Sequence, residues 1–386
     1  MSTTRPDPAG PVDDDAAGGI LHIDLAALAA NWRLLRDAAG GAEAAAVVKA
    51  NAYGIGIEQA VPTLARAGCA SFFVAHLSEA IRARAVAPEA TIYVLNGLFP
   101  GTSPHYRAHR LRPVLGSSGE IDEWAGFCRA QSEALPAALH VDTGMNRLGL
   151  GIPEGMTLKD NPHLADFAPS LLMSHFVGAE ENENPLNARQ VEAFSALRET
   201  LPGIPASLSN SSGIFLRDNP QFDLVRPGYA LYGGNPTPYA DNPMNPVVGL
   251  EVRVVQIRTI EAGETVGYNG RWVANDRRRV ATLSVGYADG YPRAASGRGA
   301  SGETMLSGMA LVAGHSCPFA GNVSMDLIIV DITDVPDGAI ARGDCVTLIG
   351  GDLTIDEVGR RAGTIGYEIL TNLGARYARQ YREAAP

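Results

Sequence analysis

Between residues 45 and 226 the chain is cut into short apolar runs separated by helix-length segments, and this alternation restricts the fold more than any other feature. The runs are 45–49, 72–75, 92–95, 113–115, 139–142, 171–174, 207–209 and 223–226, and most gaps hold a segment such as 58–67, 120–133 or 190–201. Apolar runs this short, without a helical period, read as strands buried on both faces of a parallel sheet. Eight of them alternating with helices predict a (β/α)8 barrel, a TIM-like α/β fold, rather than an open sheet. A further helix begins upstream, capped by Asp24, with Leu25, Leu28, Trp32 and Leu35 at helical spacing. The carboxyl ends of the runs deliver Lys49, His76, Asn96, Ser117, Asp142, His175, Asn210 and Arg226. One polar residue at a strand end ordinarily bonds a loop. In a barrel all eight ends converge on one face, where barrel enzymes place their chemistry.

The flanks differ in texture. Residues 1–18 are rich in Pro, Gly, Ala and Asp and lack an apolar core region, so they read as a disordered tail rather than a signal peptide. Residues 19–240 form the expected barrel. From Asn235-Pro236-Thr237-Pro238 to Asn245-Pro246 the composition is that of a linker or crossing loop. Beyond it, β-branched runs at 250–260, 279–285, 327–332 and 345–349 alternate with Gly, Pro and Asp turns, and a helix signal appears only near 355–362. Residues 241–386 are therefore expected to form a mainly β domain.

The formal net charge of −11 argues against a nucleic-acid partner. The one basic run, Arg277-Arg278-Arg279, reads as a solvated turn. Cys69, Cys128, Cys317 and Cys345 lie far apart without metal-ligand spacing, so each reads as a small buried hydrophobe and no metal is expected. No apolar run reaches the roughly 20 residues that span a membrane. The expected location is the cytoplasm.

Lys49 stands where a buried strand breaks into glycines. Partial desolvation there lowers an amine's pKa and makes it a better nucleophile, as in Schiff-base lysines. A solvated lysine at a strand end is the competing reading. The string Lys49-Ala50-Asn51-Ala52-Tyr53-Gly54, however, resembles the pyridoxal phosphate (PLP) lysine motif of alanine racemases. Arg226-Pro227-Gly228-Tyr229-Ala230-Leu231-Tyr232-Gly233 resembles that family's segment after the last barrel strand, and Asn210-Ser211-Ser212-Gly213 precedes it on the neighbouring strand. Each alone is an ordinary turn; on adjacent strands they make a phosphate cradle, with Gly228 allowing close backbone approach.

Val285-Gly286-Tyr287-Ala288-Asp289-Gly290-Tyr291, Val323-Ser324-Met325-Asp326 and Gly363-Thr364-Ile365-Gly366-Tyr367 are similar to further segments of the same family, in the same order, so the resemblance runs from about residue 20 to 381. It implies PLP on Lys49 and a two-base racemisation of alanine with Lys49 and Tyr287 on opposite faces. It further implies cofactor contacts from Tyr53, Arg147, His175, Asn210, Ser211, Arg226, Gly228, Tyr229 and Tyr367, and substrate contacts from Arg147 and the Met325 backbone. Arg226 would face the pyridine nitrogen and disfavour its protonation. The resemblance also implies a homodimer with shared active sites.

The chain departs from the family where many members carry a carbamylated lysine, two residues before the aspartate of Asp142-Thr143-Gly144-Met145-Asn146-Arg147. Here the residue is His140, so Arg147 needs another partner, such as a bound anion. Ile55 and Gly366 depart likewise, at positions usually His and Asn. A PLP decarboxylase of the same fold type, a non-enzymatic PLP-binding protein and a class I aldolase are the alternatives. A decarboxylase would release carbon dioxide, a binding protein would show no turnover, and an aldolase would lack the PLP absorption band.

Overall fold

The computed structural model describes residues 12–217, 219–297 and 306–383. It divides into two compact units, Ala27–Asn245 and, from the other parts of the chain, the segment up to Ala26 together with that from Pro246 on. Strand β1 (Gly19–Asp24) thus belongs with the C-terminal part rather than with the barrel, where the sequence reading put residues from 19 on. The helix Leu25–Ala38 follows at once, with Leu25, Leu28, Trp32 and Leu35 all buried.

The barrel strands are β2 (Glu43–Ala44), β3 (Ala46–Val47), β4 (Ser71–Val74), β5 (Thr91–Val94), β6 (Arg112–Leu115), β7 (Pro136–His140), β8 (Ala168–Met173), β9 (Ala206–Ser207) and β10 (Leu224–Val225). β3 to β9 pair in parallel and in sequence order. β2 and β3 are one interrupted strand, and β10 closes the ring against it. Glu43 N donates to Asp223 O at 2.9 Å, Ala45 N to Val225 O at 3.0 Å and Val47 N to Pro227 O at 2.9 Å. On its other side, Asp223 N donates to Ala206 O at 3.0 Å and Arg226 N to Ser209 O at 2.9 Å. The fold is the expected (β/α)8 barrel. Phe72, Phe73, Ile92, Leu115, Leu139, Leu172 and Val225 are fully buried, as strands covered on both faces require.

The second unit is β-rich. Its strands are β11 (Val248–Ile260), β12 (Thr265–Val266), β13 (Trp272–Val273), β14 (Arg278–Leu283), β15 (Met309–Val312), β16 (His315–Pro318), β17 (Ile328–Asp331), β18 (Cys345–Ile349) and β19 (Ala378–Arg382). The long β11 organises it: its first half pairs with β1 and β18, and its second half, past an irregularity at Val254–Gln256, pairs with β14. β1 lies between β11 and β19. Two helices, Ile355–Arg361 and Gly366–Thr371, follow β18; the second was not anticipated.

Three sequence readings are corrected. The tail at 1–18 lies outside the described residues up to 11, but 12–18 is folded: Asp14–Ala16 is a 3-10 turn, Ala17 is buried, and Arg253 Nε donates to Ala17 O at 3.2 Å. Arg278 and Arg279 open strand β14 instead of lying in a turn, and Arg279 pairs with Asp337 at 2.6 Å. Cys345 is exposed, while Cys69, Cys128 and Cys317 are buried. Among the described residues, no helix is long and apolar enough to cross a membrane.

Candidate active site

Lys49 follows β3 after one residue, Val48, and opens an unusual turn. Ala50, Asn51, Ala52 and Tyr53 all have positive φ, between 49° and 56°, so four successive non-glycine residues follow a left-handed path. Each costs roughly 1–2 kcal/mol relative to the right-handed conformation, so the surroundings must impose the turn. They do so from several sides. Ala52 N donates to Val48 O and Gly54 N to Ala50 O, both at 2.9 Å. The Tyr53 ring stacks on Tyr232 with centroids 4.5 Å apart. Asn51 N donates to Glu79 Oε1 at 3.1 Å, while Asn51 Oδ1 accepts from Arg82 Nη2 at 2.7 Å and Ile57 N at 3.2 Å.

The Lys49 amine has no hydrogen-bond partner among the described residues, and its pKa is lowered, first by burial and then by the Arg147 charge, against which Glu79 acts. Burial pushes Arg226 down to about 9. Its guanidinium donates to Ser207 Oγ and Ser174 O, reaches Leu208 O at 3.3 Å and lies 3.5 Å from His175 Nδ1. Among the described residues no carboxylate pairs with it. His175 is held well below its ordinary pKa by burial, then by Arg226, Arg147 and Lys49. His140 is lowered to about 4 by burial and by Arg226, with Asp142 opposing. Both imidazoles are neutral at pH 7. Arg147 and Arg226 are cations, and the nearby carboxylates Glu79 and Asp142 already accept backbone N–H groups with their oxygens. The mouth is thus prepared for an anion.

The two turns after β9 and β10 are joined. Ser211 Oγ accepts from Gly228 N at 2.9 Å and Ala230 N at 3.3 Å, so its own proton has no acceptor among the described residues. Asn210 Oδ1 accepts from Gly213 N at 2.9 Å, which leaves its amide group for donation. A Cβ on Gly228 would stand 2.5 Å from the Tyr53 hydroxyl oxygen, so the glycine is what lets this turn approach Tyr53. Tyr229 is buried beside them. The other expected strand-end residues serve differently: His76 precedes the helix Leu77–Val86, Ser117 caps Ser118–Gln131, and Asn96 is exposed in a loop.

In the β unit, Tyr287 and Met325 are exposed and lie on neighbouring turns: Tyr287 N donates to Ser324 O and Ala288 N to Met325 O, both at 3.0 Å. Asp289, buried, accepts Gly286 N at 2.9 Å and pairs with Arg376 at 3.0 Å, while Arg376 reaches Asp326 at 2.9 Å. One arginine thereby braces both turns. Tyr367 lies half-buried on the helix Gly366–Thr371. Glu79, Arg82, Gln190 and Arg376 were not anticipated. Glu79 and Glu120 had a legible signal, each three residues after a helix N-cap. Gln190, which donates to Thr143 Oγ1 at 3.0 Å and His175 O at 2.9 Å, had none.

A desolvated lysine on the first barrel strand, with a cationic mouth and buried hydroxyl donors, defines a class: barrel enzymes that hold a phosphorylated carbonyl cofactor on a lysine. The residues fit such a group, because Lys49 supplies the free amine and Ser211 an unshared proton. Family models for alanine racemase match residues 23–236 (N-terminal domain) and 247–381 (C-terminal domain). The alanine racemase of Methylobacterium nodulans is 59% identical over 368 residues, covering 95% of this chain and 97% of that protein. That of Acidiphilium cryptum is 51% identical over 360 residues, covering 93% and 97%. Among solved structures, alanine racemase from Bartonella henselae with covalently bound pyridoxal phosphate matches with a TM-score of 0.88 at 39% identity, covering 95% of this chain and 100% of that one. The chain belongs to the alanine racemase family, PLP-dependent isomerases built from a barrel and a β-rich domain.

Proposed function

We propose that this enzyme holds PLP on Lys49 and racemises alanine with two bases, Lys49 and Tyr287, acting on opposite faces of Cα. The observation that carries the reading is the free, desolvated Lys49 amine at the barrel mouth among Arg147, His175 and Arg226. PLP, when bound, withdraws electrons and makes the Cα proton acidic. The protein's work is to place groups around it. Lys49, with its pKa lowered, takes or returns a proton on one face, and the Tyr287 hydroxyl does so on the other. Arg226 retains its proton at neutral pH, so beside the cofactor it would disfavour protonation of the ring nitrogen and so favour return of the proton to Cα. His175 would contact the ring, Tyr53, Asn210, Ser211, Gly228, Tyr229 and Tyr367 would bind the phosphate, and Arg147 and the Met325 amide would take the substrate carboxylate.

The active site is completed by a second copy. Tyr287, Met325 and Leu327 expose apolar surface around the turns that would cover a barrel mouth. Two isologous contacts of this kind close a C2 dimer. The substrate is a small amino acid. Discrimination of alanine from serine turns on space for one hydroxyl, about 1–3 kcal/mol. The protein works in the cytoplasm, a compartment that keeps an exposed thiol such as Cys345 reduced. Incubation with L-alanine tests the reaction: the circular-dichroism signal of the substrate should decay to zero without release of carbon dioxide. Carbon dioxide release would convert the reading to a decarboxylase.

A further inference from the structure

Two βα units of the barrel, with one other unit between them, use the same device. In each, a glutamate in the first turn of the helix reaches back to the loop of the preceding unit. Glu120 Oε1 accepts from Leu98 N at 2.8 Å, while its Oε2 takes Gly116 N at 2.8 Å and Ser117 Oγ at 3.0 Å. Glu79 Oε1 accepts from Asn51 N at 3.1 Å, while its Oε2 takes Ala75 N at 3.0 Å and His76 N at 3.2 Å. The loops they hold differ. Glu120 fastens an ordinary connection, but Glu79 fastens the left-handed turn that follows Lys49.

We infer that Glu79 is a positioning residue for Lys49, gripping the turn through Asn51 and setting the charge that the lysine feels. The grip is two-handed. Arg82, one turn further along the helix Leu77–Val86 and on the same face, donates to Asn51 Oδ1 at 2.7 Å and is itself paired with Glu58 at 2.7 Å. Asn51 is therefore held at its backbone by an anion and at its side chain by a cation, two residues from the amine. Strained backbone persists only where its surroundings over-determine it, and these contacts are part of that determination. The charged and titratable groups facing Lys49 are Arg147, Glu79 and His175; of these only Glu79 is an anion. Its loss would free the turn and leave Lys49 facing Arg147 alone.

The inference rests on Lys49 as the cofactor lysine, so borohydride reduction of the wild-type holoenzyme comes first. A pyridoxyl group elsewhere than on the Lys49 peptide overturns that reading and this one with it. With Lys49 labelled, Glu79→Gln is compared with Glu120→Gln, a matched change at a bridge that does not touch the lysine turn. In Glu79→Gln, amide hydrogen exchange should accelerate over 49–56. Deuterium exchange at Cα should fall by roughly tenfold to a hundredfold for one alanine enantiomer more than for the other. The acid limb of kcat/KM should move to lower pH, because a lysine deprived of its anion is harder to protonate. Glu120→Gln should accelerate amide exchange over 96–101 only, with both enantiomers affected alike. Glu79→Asp, which keeps the charge but shortens the reach, should return the acid limb toward wild type and retain the asymmetric loss; it also serves if Glu79→Gln does not fold. Symmetric loss in both Glu79 variants, with 49–56 protected as in wild type, overturns the role.

Discussion

The two units carry their functional residues under opposite conditions. In the barrel, Arg226 is buried, Lys49 and His175 are shielded, and burial is the first cause of each pKa displacement there. In the β unit, Tyr287 is 41% and Met325 54% exposed, and the buried groups nearby, Asp289 and the Gly286 amide it accepts, are braces. One unit holds a chemically tuned pocket. The other holds a rigid but unburied pair of turns. Such a division fits the proposal that the exposed turns complete a site whose buried part lies in the barrel.

The comparison breaks first at Lys49. Lys49→Ala removes both the attachment point and one base, so activity should fall by roughly 10⁴-fold or more. Borohydride should fix a pyridoxyl group on the Lys49 peptide of the wild type and leave the variant unlabelled. Labelling of Lys159 instead would show that the barrel mouth is not the tuned pocket.

Tyr287→Phe should cost roughly 10²–10⁴-fold and should suppress Cα exchange on one face while the other half-reaction partly survives. Mixing Lys49→Ala with Tyr287→Phe chains under subunit exchange asks where the exposed turn is used. If each site takes its lysine from one chain and its tyrosine from the other, a mixed dimer has one doubly damaged site and one intact site. Activity should then rise well above either parent. No rescue, with mixed dimers confirmed by mass, would mean that the turn serves its own barrel.

A smaller effect concerns acid stability. His140 has a folded pKa of about 4, below its unfolded value near 6.5. Between these limits the unfolded chain binds the proton and the native barrel does not. Its contribution is therefore fully present above pH 6.5 and is lost as pH falls toward 4, by the order of 2–3 kcal/mol. His140→Gln should flatten part of the fall in melting temperature between pH 7 and 4.5. An unchanged profile would remove His140 from the shielded pocket.

How much of this was legible varied with the kind of interaction. The barrel was visible in the alternation, because strands buried on both faces must be apolar and helices must fill the gaps. The division of units was not: β1 is six residues with the composition of a barrel strand, and only its pairing with β11 and β19 assigns it elsewhere. Lys49 and Arg226 were legible as strand ends. The bonds that hold them were not. Glu79 and Gln190 act on residues 28 and 15 positions away through backbone groups; the place of Glu79 after its N-cap signals the cap but not its reach to Asn51, and Gln190 carries no signature at all. The turn 50–53 was the hardest case, since in Ala-Asn-Ala-Tyr only Asn51 tolerates a left-handed path readily, and the cause of the rest lies in Glu79, Arg82 and Tyr232.

The smallest expected effect is none at all, and it concerns what steadies Arg147. Many relatives resembling this chain place a carbamylated lysine where His140 stands, and a carbamate is an anion formed from dissolved carbon dioxide. His140 is neutral at pH 7 and cannot replace that charge. Arg147 is exposed and makes no hydrogen bond or ion pair among the described residues, while Asp142, the nearest candidate in its loop, accepts Gly144 N and Met145 N at 2.7 and 2.8 Å. The expectation to test is that a diffusible anion partners it. Removing bicarbonate should leave activity unchanged, whereas exchanging chloride for a bulky, poorly coordinating anion should lower it by raising KM for alanine. The order of these responses separates a site steadied by solution ions from one steadied by a covalent adduct. A bicarbonate requirement, or carbamate density on a lysine beside Arg147 in a high-resolution map, would show that the barrel carries its own fixed anion after all.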